Sequence, residues 1–342
     1  MHDGWELVEE TMRYLPFGRS GLRVSEIALG CVRMGEGVIG VGEAESRAIL
    51  HAYLEAGGNF IDTAGIYNGG ASEEMLGKLI GGARDQLVIA TKFGMGGEKD
   101  PIVAAGAARK SMRLSVERSL RRLKTDHVDI LYLHQWDFDT AAEEVLQAMG
   151  DLVARGLVDQ IAVSNAPAWI VARSDAMAEL HGWRRFAGMQ IPYSLLERSA
   201  DREILPMARA LDMGLCCWGP IAHGALALAN ISPPAALPVN PNHAAIVTNT
   251  AAIARRRGIS MAQVALAWLR QQPGGLIAVA GADSVDQLRD NVASTALILT
   301  DEELAELNDV SRPSLGYPLE YLHRESFTNM RTAYKPDQLR SG

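Results

Sequence analysis

The chain has 342 residues, of which 48% are hydrophobic and 22% charged, a composition that can bury a large core and excludes a disordered protein. The formal net charge of -8 argues against nucleic acid as a partner, because a polyanion would be repelled. The chain has no apolar run long enough to span a membrane, and its acidic N-terminus does not resemble an export signal, so we expect a cytoplasmic protein.

Short apolar runs alternate with amphipathic stretches along the chain, which is the pattern of repeated βα units with a parallel sheet. Residues 1–11 precede this pattern and are interpreted as an N-terminal extension, which leaves residues 12–342 as a single domain. Eight runs are predicted as strands; they end at Gly30, Asp62, Lys92, His134, Asn165, Gln190, Trp218 and Gly281. Eight such units predict a (β/α)8 TIM barrel of the α/β class.

Helices are predicted between the strands, over residues 43–54, 72–79, 109–123, 141–153, 168–180, 201–211, 261–271 and 284–292. Ser72 is predicted to cap the second of them, and Thr300 with Glu303 predicts a capping box for an extra C-terminal helix. The basic residues of the helix over 109–123 lie opposite an apolar stripe, so we expect them to face solvent. The Pro-rich stretch 223–242 predicts a long loop after strand seven that covers the active-site face.

Polar side chains end five of the predicted strands. In an α/β barrel the carboxyl ends of all strands meet at one rim, so these side chains are expected to converge there. They are Asp62, Lys92, His134, Asn165 and Gln190. Each alone has an ordinary structural interpretation, but five on separate strand ends favour a reactive site.

Tyr67 follows Asp62 by five residues, and together with Lys92 and His134 these side chains suit proton transfer to a carbonyl oxygen. The ordinary pKa of a phenol is about 10, and an adjacent ammonium lowers it by stabilising the phenolate. Asp62 would keep Lys92 charged, and His134 would donate a hydrogen bond to the substrate. Since no side chain supplies hydride, this chemistry requires a cofactor.

The expected cofactor position is the end of the last strand. There Ser284 and Gln287 form a cap at the start of a helix, where free backbone N–H groups favour an anion. Gln287 and Asn291 lie one helical turn apart and could contact an adenine. The chain has no G-x-G-x-x-G sequence, which argues against a Rossmann site.

Several segments jointly resemble the aldo-keto reductase superfamily, in particular its branch of bacterial general-stress reductases and potassium-channel β subunits. They include AGGNFIDTAGIYNGGASEEMLGKLI, SLRRLKTDHVDILYLHQWD and GADSVDQLRDN, within a similarity from Met12 to Ser311. The resemblance implies a catalytic tetrad of Asp62, Tyr67, Lys92 and His134, with Tyr67 as the acid-base residue. It also implies cofactor contacts from Gly30, Cys31, Val32, Ser164, Asn165, Gln190, Trp218, Gly219, Pro220, Ile221, Ala222, Gly281, Asp283, Gln287, Asp290 and Asn291.

Two positions depart from the family's pattern. Gly219-Pro220-Ile221 stands where Ser-Pro-Leu is usual, which removes one hydroxyl contact to the cofactor. Asp283 stands where relatives place Arg, Lys or Ser near the 2'-phosphate, and its carboxylate would repel that phosphate. The family's general preference and Arg289 argue in the other direction, so NADP(H) is narrowly favoured over NAD(H).

Two other functions are compatible with these residues. Lys92 could form a Schiff base in a class I aldolase, although the cofactor residues would then have no role. The chain could also be a dinucleotide-binding redox sensor that regulates a partner. Met34, Met95 and Trp136 are expected to shape the substrate pocket; the carbonyl or alcohol substrate and the oligomeric state are left open, and no metal site is predicted.

Overall fold

A short β-hairpin closes the N-terminal end of the fold. The computed structural model describes residues 12–96, 105–227 and 241–322, so the predicted extension 1–11 lies outside it. Strands β1 (Tyr14–Pro16) and β2 (Arg23–Ser25) pair antiparallel. Between them Phe17 is fully buried and packs edge-on against Phe60 inside the barrel. The hairpin therefore seals the amino ends of the barrel strands with an aromatic side chain.

Eight parallel strands form a closed barrel, which confirms the predicted fold class. They are β3 (Ile27–Gly30), β4 (Phe60–Asp62), β5 (Val88–Phe93), β6 (Val128–Leu133), β7 (Val158–Ser164), β8 (Gly188–Pro192), β9 (Gly214–Trp218) and β10 (Ile277–Ala280). Their side chains are almost all buried because helices cover the outer face and side chains fill the interior. All eight strand ends were predicted to within two residues.

Helices cover the outside of the barrel. They are α1 (Gly42–Glu55), α2 (Ala71–Leu79), α3 (Arg109–Leu123), α4 (Ala142–Ala154), α5 (Ala168–His181), α6 (Ile204–Ala210), α7 (His243–Arg257), α8 (Met261–Arg270), α9 (Val285–Ala293), α10 (Asp301–Val310) and α11 (Leu319–Leu322). The capping box of Thr300 and Glu303 is present at α10, as predicted. Helix α7 was not predicted, although Ile246, Thr250 and Ile253 bury its inner face at helical spacing.

The predicted cap of α2 is wrong. The residue at the N-cap is Gly70, which has a φ of 99°, and the helix begins at Ala71. The Ser72 hydroxyl instead donates to the carbonyl oxygen of Cys31 at 2.7 Å, inside the barrel rim. The reason is the left-handed backbone at Gly69 and Gly70, which starts the helix earlier and turns the serine inward.

All three cysteines are buried and free. The hydroxyl of Tyr132 lies 3.4 Å from Cys216 Sγ in the barrel interior, and burial raises the pKa of that thiol to about 12. Among the helices of the described ranges, none has the length and apolar character needed to cross a bilayer. The predicted long loop after strand seven follows β9, and residues 228–240 of it lie outside the described ranges.

Candidate active site

Tyr67 is placed by a tightly turned loop between β4 and α2. The loop starts after Asp62, and Tyr67 begins a single 3-10 turn that ends at Gly70. Asn68, Gly69 and Gly70 have φ angles of 50°, 67° and 99°, so the chain reverses within three residues. This reversal brings the phenol back over the carboxyl ends of the barrel strands.

Lys92 joins Tyr67 to Asp62 in the barrel mouth. Its buried ammonium donates to Asp62 Oδ1 at 2.5 Å, to the Thr63 carbonyl oxygen at 2.9 Å and to the Tyr67 hydroxyl at 3.0 Å. Three N–H donors thus have three acceptors, which satisfies the charge in the absence of water. The geometry brings together three of the residues that the sequence predicted as a cluster.

The charges of this cluster are set by burial and by proximity. Burial lowers the pKa of Lys92, but Asp62 and Tyr67 outweigh that effect and the net pKa is raised. Burial also raises the pKa of Tyr67 above its ordinary value, and the Lys92 ammonium only opposes this rise. The expected effect of Lys92 is present, but the prediction of a phenol more acidic than usual was wrong, because the sequence did not show how deeply Tyr67 is buried.

His134 faces Tyr67 from the end of β6. The two rings meet edge to face with their centroids 5.8 Å apart. Burial, assisted by the positive charge of Lys92, lowers the pKa of His134 to about 3. Its Nδ1 atom is buried and has no hydrogen-bond partner in the described part of the chain. His134 is therefore a neutral imidazole at neutral pH.

The amide side chains at the ends of β7 and β8 form hydrogen bonds with residues of the same cluster. Gln190 Nε2 donates to Asp62 Oδ2 at 2.8 Å, and the Ser164 hydroxyl donates to the Gln190 carbonyl oxygen at 2.9 Å. Asn165 donates to the His134 carbonyl oxygen at 2.9 Å and accepts from Trp218 Nε1 at 3.2 Å. The four residues predicted to hold the nicotinamide end therefore lie side by side.

The segment after β9 turns sharply beside Trp218. Gly219 and Ala222 have φ angles of 64° and 49°, and the Ala222 amide donates to the Gly219 carbonyl oxygen at 2.8 Å. Pro220 and Ala222 are buried and Ile221 is half-buried. At the ends of the neighbouring strands β10 and β3, a Cβ on Gly30 would lie 3.3 Å from the Gly281 amide nitrogen, so the two backbones approach closely there.

At the predicted binding position for the adenosine end of the cofactor, more side chains are hydrogen-bonded within the protein than the sequence suggested. The Ser284 cap on the Gln287 amide is present at 3.2 Å, as predicted. Asn291 is buried and donates to the Gly281 carbonyl oxygen at 3.1 Å, so it holds the loop after β10. Asp290 accepts from Ser260 and Gln263, both at 2.6 Å. These two side chains are engaged within the protein, and the exposed Gln287 also accepts from the amide of the exposed Asp283 at 2.8 Å.

Two charged residues near Asp283 were missed by the sequence analysis. Arg33 Nε lies 2.5 Å from Asp283 Oδ1, so a cation from the loop after β3 neutralises that carboxylate. Glu45 of α1 accepts from the Val285 amide at 3.0 Å and occupies one N–H at the start of α9. No signal in the sequence linked positions about 240 residues apart, and Arg289, which the sequence suggested, is exposed on the same helix.

The remaining predicted residues differ in exposure. Cys31 is buried and its amide donates to the Asp62 carbonyl oxygen at 2.9 Å, whereas Val32 is exposed. Met34 is only 4% exposed and packs in the core, which does not support a direct pocket contact. Met95 is exposed and Trp136 is half-buried at the same rim.

These residues fit a nicotinamide dinucleotide. The half-buried indole of Trp218, held by Asn165, provides a flat surface beside amide groups that can bond a carboxamide. At the ends of β3 and β10, Gly30 and Gly281 expose backbone rather than side chains to a bound group, and a Cβ on Gly30 would lie within 3.3 Å of the Gly281 amide nitrogen. The fold and this polar cluster at the strand ends define an α/β-barrel enzyme.

Residues 26–312 match the aldo/keto reductase family, and the chain belongs to that family. It is 37% identical to norsolorinic acid reductase stcV of Emericella nidulans, over 93% of this chain and 85% of that protein. It is 32% identical to an aryl-alcohol dehydrogenase of Pestalotiopsis microspora, over 89% of this chain and 83% of that protein. The chain is accordingly a carbonyl oxidoreductase that uses a nicotinamide cofactor.

Proposed function

We propose that the protein interconverts an aldehyde or ketone and its alcohol, with Tyr67 as the acid-base residue. The observation that supports this most directly is the 3.0 Å hydrogen bond between Lys92 Nζ and the Tyr67 hydroxyl, in a buried cluster with Asp62. The bound nicotinamide would supply hydride to the carbonyl carbon. The proton for the carbonyl oxygen then comes from the Tyr67 hydroxyl, and in the reverse direction the phenolate takes it back.

Lys92 has an electrostatic role in this proposal. When Tyr67 gives up its proton, the ammonium stabilises the phenolate at the position that the hydroxyl held, and Asp62 keeps the ammonium in place. Because all three ammonium N–H groups donate to protein oxygens and the pKa of Lys92 is raised, a free amine is disfavoured. The arrangement therefore supports proton relay over the Schiff-base alternative.

His134 is proposed to orient the substrate. A neutral imidazole with its N–H at Nε2 can donate to a carbonyl oxygen while Tyr67 approaches the same oxygen from its edge-to-face position. Burial next to Lys92 keeps the ring uncharged throughout the neutral range, so it donates a hydrogen bond without becoming a competing acid.

The cofactor is proposed to lie along the rim with its nicotinamide at Trp218. Ser164, Asn165 and Gln190 would hold the carboxamide, and the turn from Gly219 would follow the pyrophosphate. We propose NADP(H), narrowly over NAD(H), as the preferred cofactor. Arg33 supports a 2'-phosphate at this position. It pairs with Asp283 and so places a cation beside the carboxylate that would otherwise repel the phosphate.

The substrate is proposed to be an aromatic carbonyl compound or benzylic alcohol. Relatives named as norsolorinic acid reductases and as an aryl-alcohol dehydrogenase support this class. In this chain Trp136 and the exposed Met95 offer apolar and aromatic surface beside the site.

The test is Tyr67→Phe, with Tyr14→Phe as a matched control. The Tyr14 hydroxyl donates to the Gly57 carbonyl oxygen at 2.6 Å, far from the site, so its loss controls for a general effect of removing a phenol. We expect Tyr67→Phe to lower kcat for aryl aldehydes by about 10² to 10⁴-fold with cofactor affinity nearly unchanged, because only the proton donor is lost. Near wild-type turnover in Tyr67→Phe would contradict the assignment.

A second outcome separates enzyme from sensor. A wild-type protein that binds NAD(P)H but turns over no member of a panel of aldehydes, ketones and alcohols would favour the redox-sensing alternative.

A further inference from the structure

We propose that Glu73 and Arg122 position the Tyr67 loop for proton transfer, although neither residue faces the barrel mouth. This inference rests on the proposed role of Tyr67 and adds two positioning residues to it. Arg122 belongs to the basic residues of the helix over 109–123 that were expected to face solvent, and Glu73 lies in the first turn of α2. In the structure Arg122 contacts the loop directly, and Glu73 contacts Arg122.

The loop that carries Tyr67 needs support from outside. The Tyr67 amide donates to the Ala64 carbonyl oxygen and the Gly69 amide to the Ile66 carbonyl oxygen, both at 3.0 Å. Asn68, Gly69 and Gly70 have left-handed backbone, so these bonds form separate tight turns rather than a continuous helix or strand. On its inner side the Gly65 amide donates to the Lys92 carbonyl oxygen at 3.4 Å, a long contact. The distance between the Tyr67 hydroxyl and Lys92 therefore depends on what holds Gly65 and Gly70 in place.

Arg122 of α3 holds the loop at both ends. Its Nη1 atom donates to the Gly65 carbonyl oxygen at 3.1 Å, two residues before Tyr67. Its guanidinium also covers Gly70, since a Cβ there would lie 2.6 Å from Cζ of Arg122. One planar side chain thus contacts the loop two residues before the phenol and three residues after it.

Glu73 holds Arg122 in this orientation. Its side chain is fully buried, and Oε2 lies 3.1 Å from Arg122 Nη1. Oε1 accepts from the Thr91 hydroxyl at 2.6 Å, and Thr91 precedes Lys92 on β5. The carboxylate therefore connects the strand that carries Lys92 with the arginine that carries the Tyr67 loop.

Helix packing alone does not account for this pair. Helices α2 and α3 already meet at backbone contact, because a Cβ on Gly77 would lie 2.1 Å from the Arg122 carbonyl oxygen. A buried ion pair contributes little net stability compared with apolar side chains of similar size. What the pair provides beyond that contact is the bond to Gly65, which sets where the phenol lies relative to Lys92.

The experiment compares Arg122→Met, Arg122→Lys and Glu73→Gln with Arg121→Met, a neighbouring exposed arginine of the same helix. We expect kcat to fall about tenfold to a hundredfold in Arg122→Met, the range for an ångström-scale misplacement of a reacting group. Glu73→Gln should fall less, and Arg122→Lys should recover most of the loss because it keeps a charged donor. The cofactor Kd and the activity of Arg121→Met should remain at wild-type values.

Two further measurements separate positioning from loss of folded protein. With the transferred hydrogen replaced by deuterium, the isotope effect on kcat should rise in Arg122→Met, because a misplaced proton donor slows the chemical step. Without cofactor, amide hydrogen exchange over residues 64–70 should be faster in Arg122→Met and in Glu73→Gln, with strands β7 to β9 unchanged. A smaller population of active molecules would change neither the isotope effect nor exchange in one segment alone.

The outcomes distinguish this inference from the proposed function. If wild type and Tyr67→Phe have the same turnover, the proposed function fails first, and exchange over residues 64–70 still tests the contact. If Tyr67→Phe is inactive but Arg122→Met matches wild type in kcat, isotope effect and exchange, the positioning role is wrong.

Discussion

The low pKa of His134 predicts a specific pH dependence of stability. In the folded protein burial lowers this pKa to about 3, whereas an unfolded histidine has its ordinary pKa of about 6.5. Because the folded pKa is depressed, the unfolded state binds the proton first as the pH falls. The stabilisation is therefore complete above about pH 6.5 and is lost progressively between about pH 6.5 and pH 3.

The magnitude follows from this difference. At pH 5 the unfolded histidine is protonated and the folded one is not, and each pH unit below 6.5 costs about 1.4 kcal/mol, so the loss is about 2 kcal/mol. The assay is the free energy of unfolding from urea titrations at pH 7 and pH 5, for wild type and for His134→Gln. Wild type should lose about 2 kcal/mol more than the variant between these two conditions, since glutamine does not titrate.

The comparison with His134→Gln removes the contribution of every other titrating group. Equal losses in the two proteins between pH 7 and pH 5 would refute the reasoning, because they would mean that His134 takes up a proton in the folded state as easily as in the unfolded state. A larger loss in the variant would mean that folding raises the pKa of His134, which is the opposite of the predicted shift.

Three other changes test the site and its loop. Asp283→Arg should shift the ratio of Kd values by about tenfold toward NADP, measured by cofactor fluorescence titration, and an unchanged ratio would count against a 2'-phosphate near that position. Lys92→Met should lower the free energy of unfolding by about 3 to 5 kcal/mol in urea denaturation, because it leaves a buried carboxylate without its partner. Gly70→Ala should lower Tm more than Gly69→Ala, since both have positive φ but only Gly70 is covered by Arg122.

The barrel was predictable because its strands are local features. Each strand is a short apolar run, and five of the eight were predicted to end at a polar residue; β4 ends at Asp62 and β5 ends one residue after Lys92. Helix α7 was missed because it begins directly after the stretch 223–242, which was predicted as a loop, and no element was predicted between residue 242 and the helix over 261–271. The cap of α2 was misassigned because positive φ at Gly70 is a property of the folded loop rather than of the serine.

The site was partly predictable for the same reason. In a parallel barrel, residues at strand ends share a rim, so the sequence could predict that Asp62, Lys92 and His134 lie close together. The degree of burial of Tyr67 could not be predicted from the sequence, and it reversed the expected direction of the shift in the pKa of Tyr67. Pairings between distant segments, such as Arg33 with Asp283, were also invisible, because no local spacing connects them.

The sequence by itself determined the barrel, the order of its strands and the set of polar residues at its mouth. This was possible because periodicity and strand ends are properties of short segments of the chain. The tertiary structure decided which of those residues touch and how strongly burial shifts their protonation. It also decided that Arg122, on the outside of the barrel, contacts the loop that carries Tyr67 and that Glu73 holds Arg122 there. Such contacts depend on how α2 and α3 pack together, and that packing is a property of the whole fold.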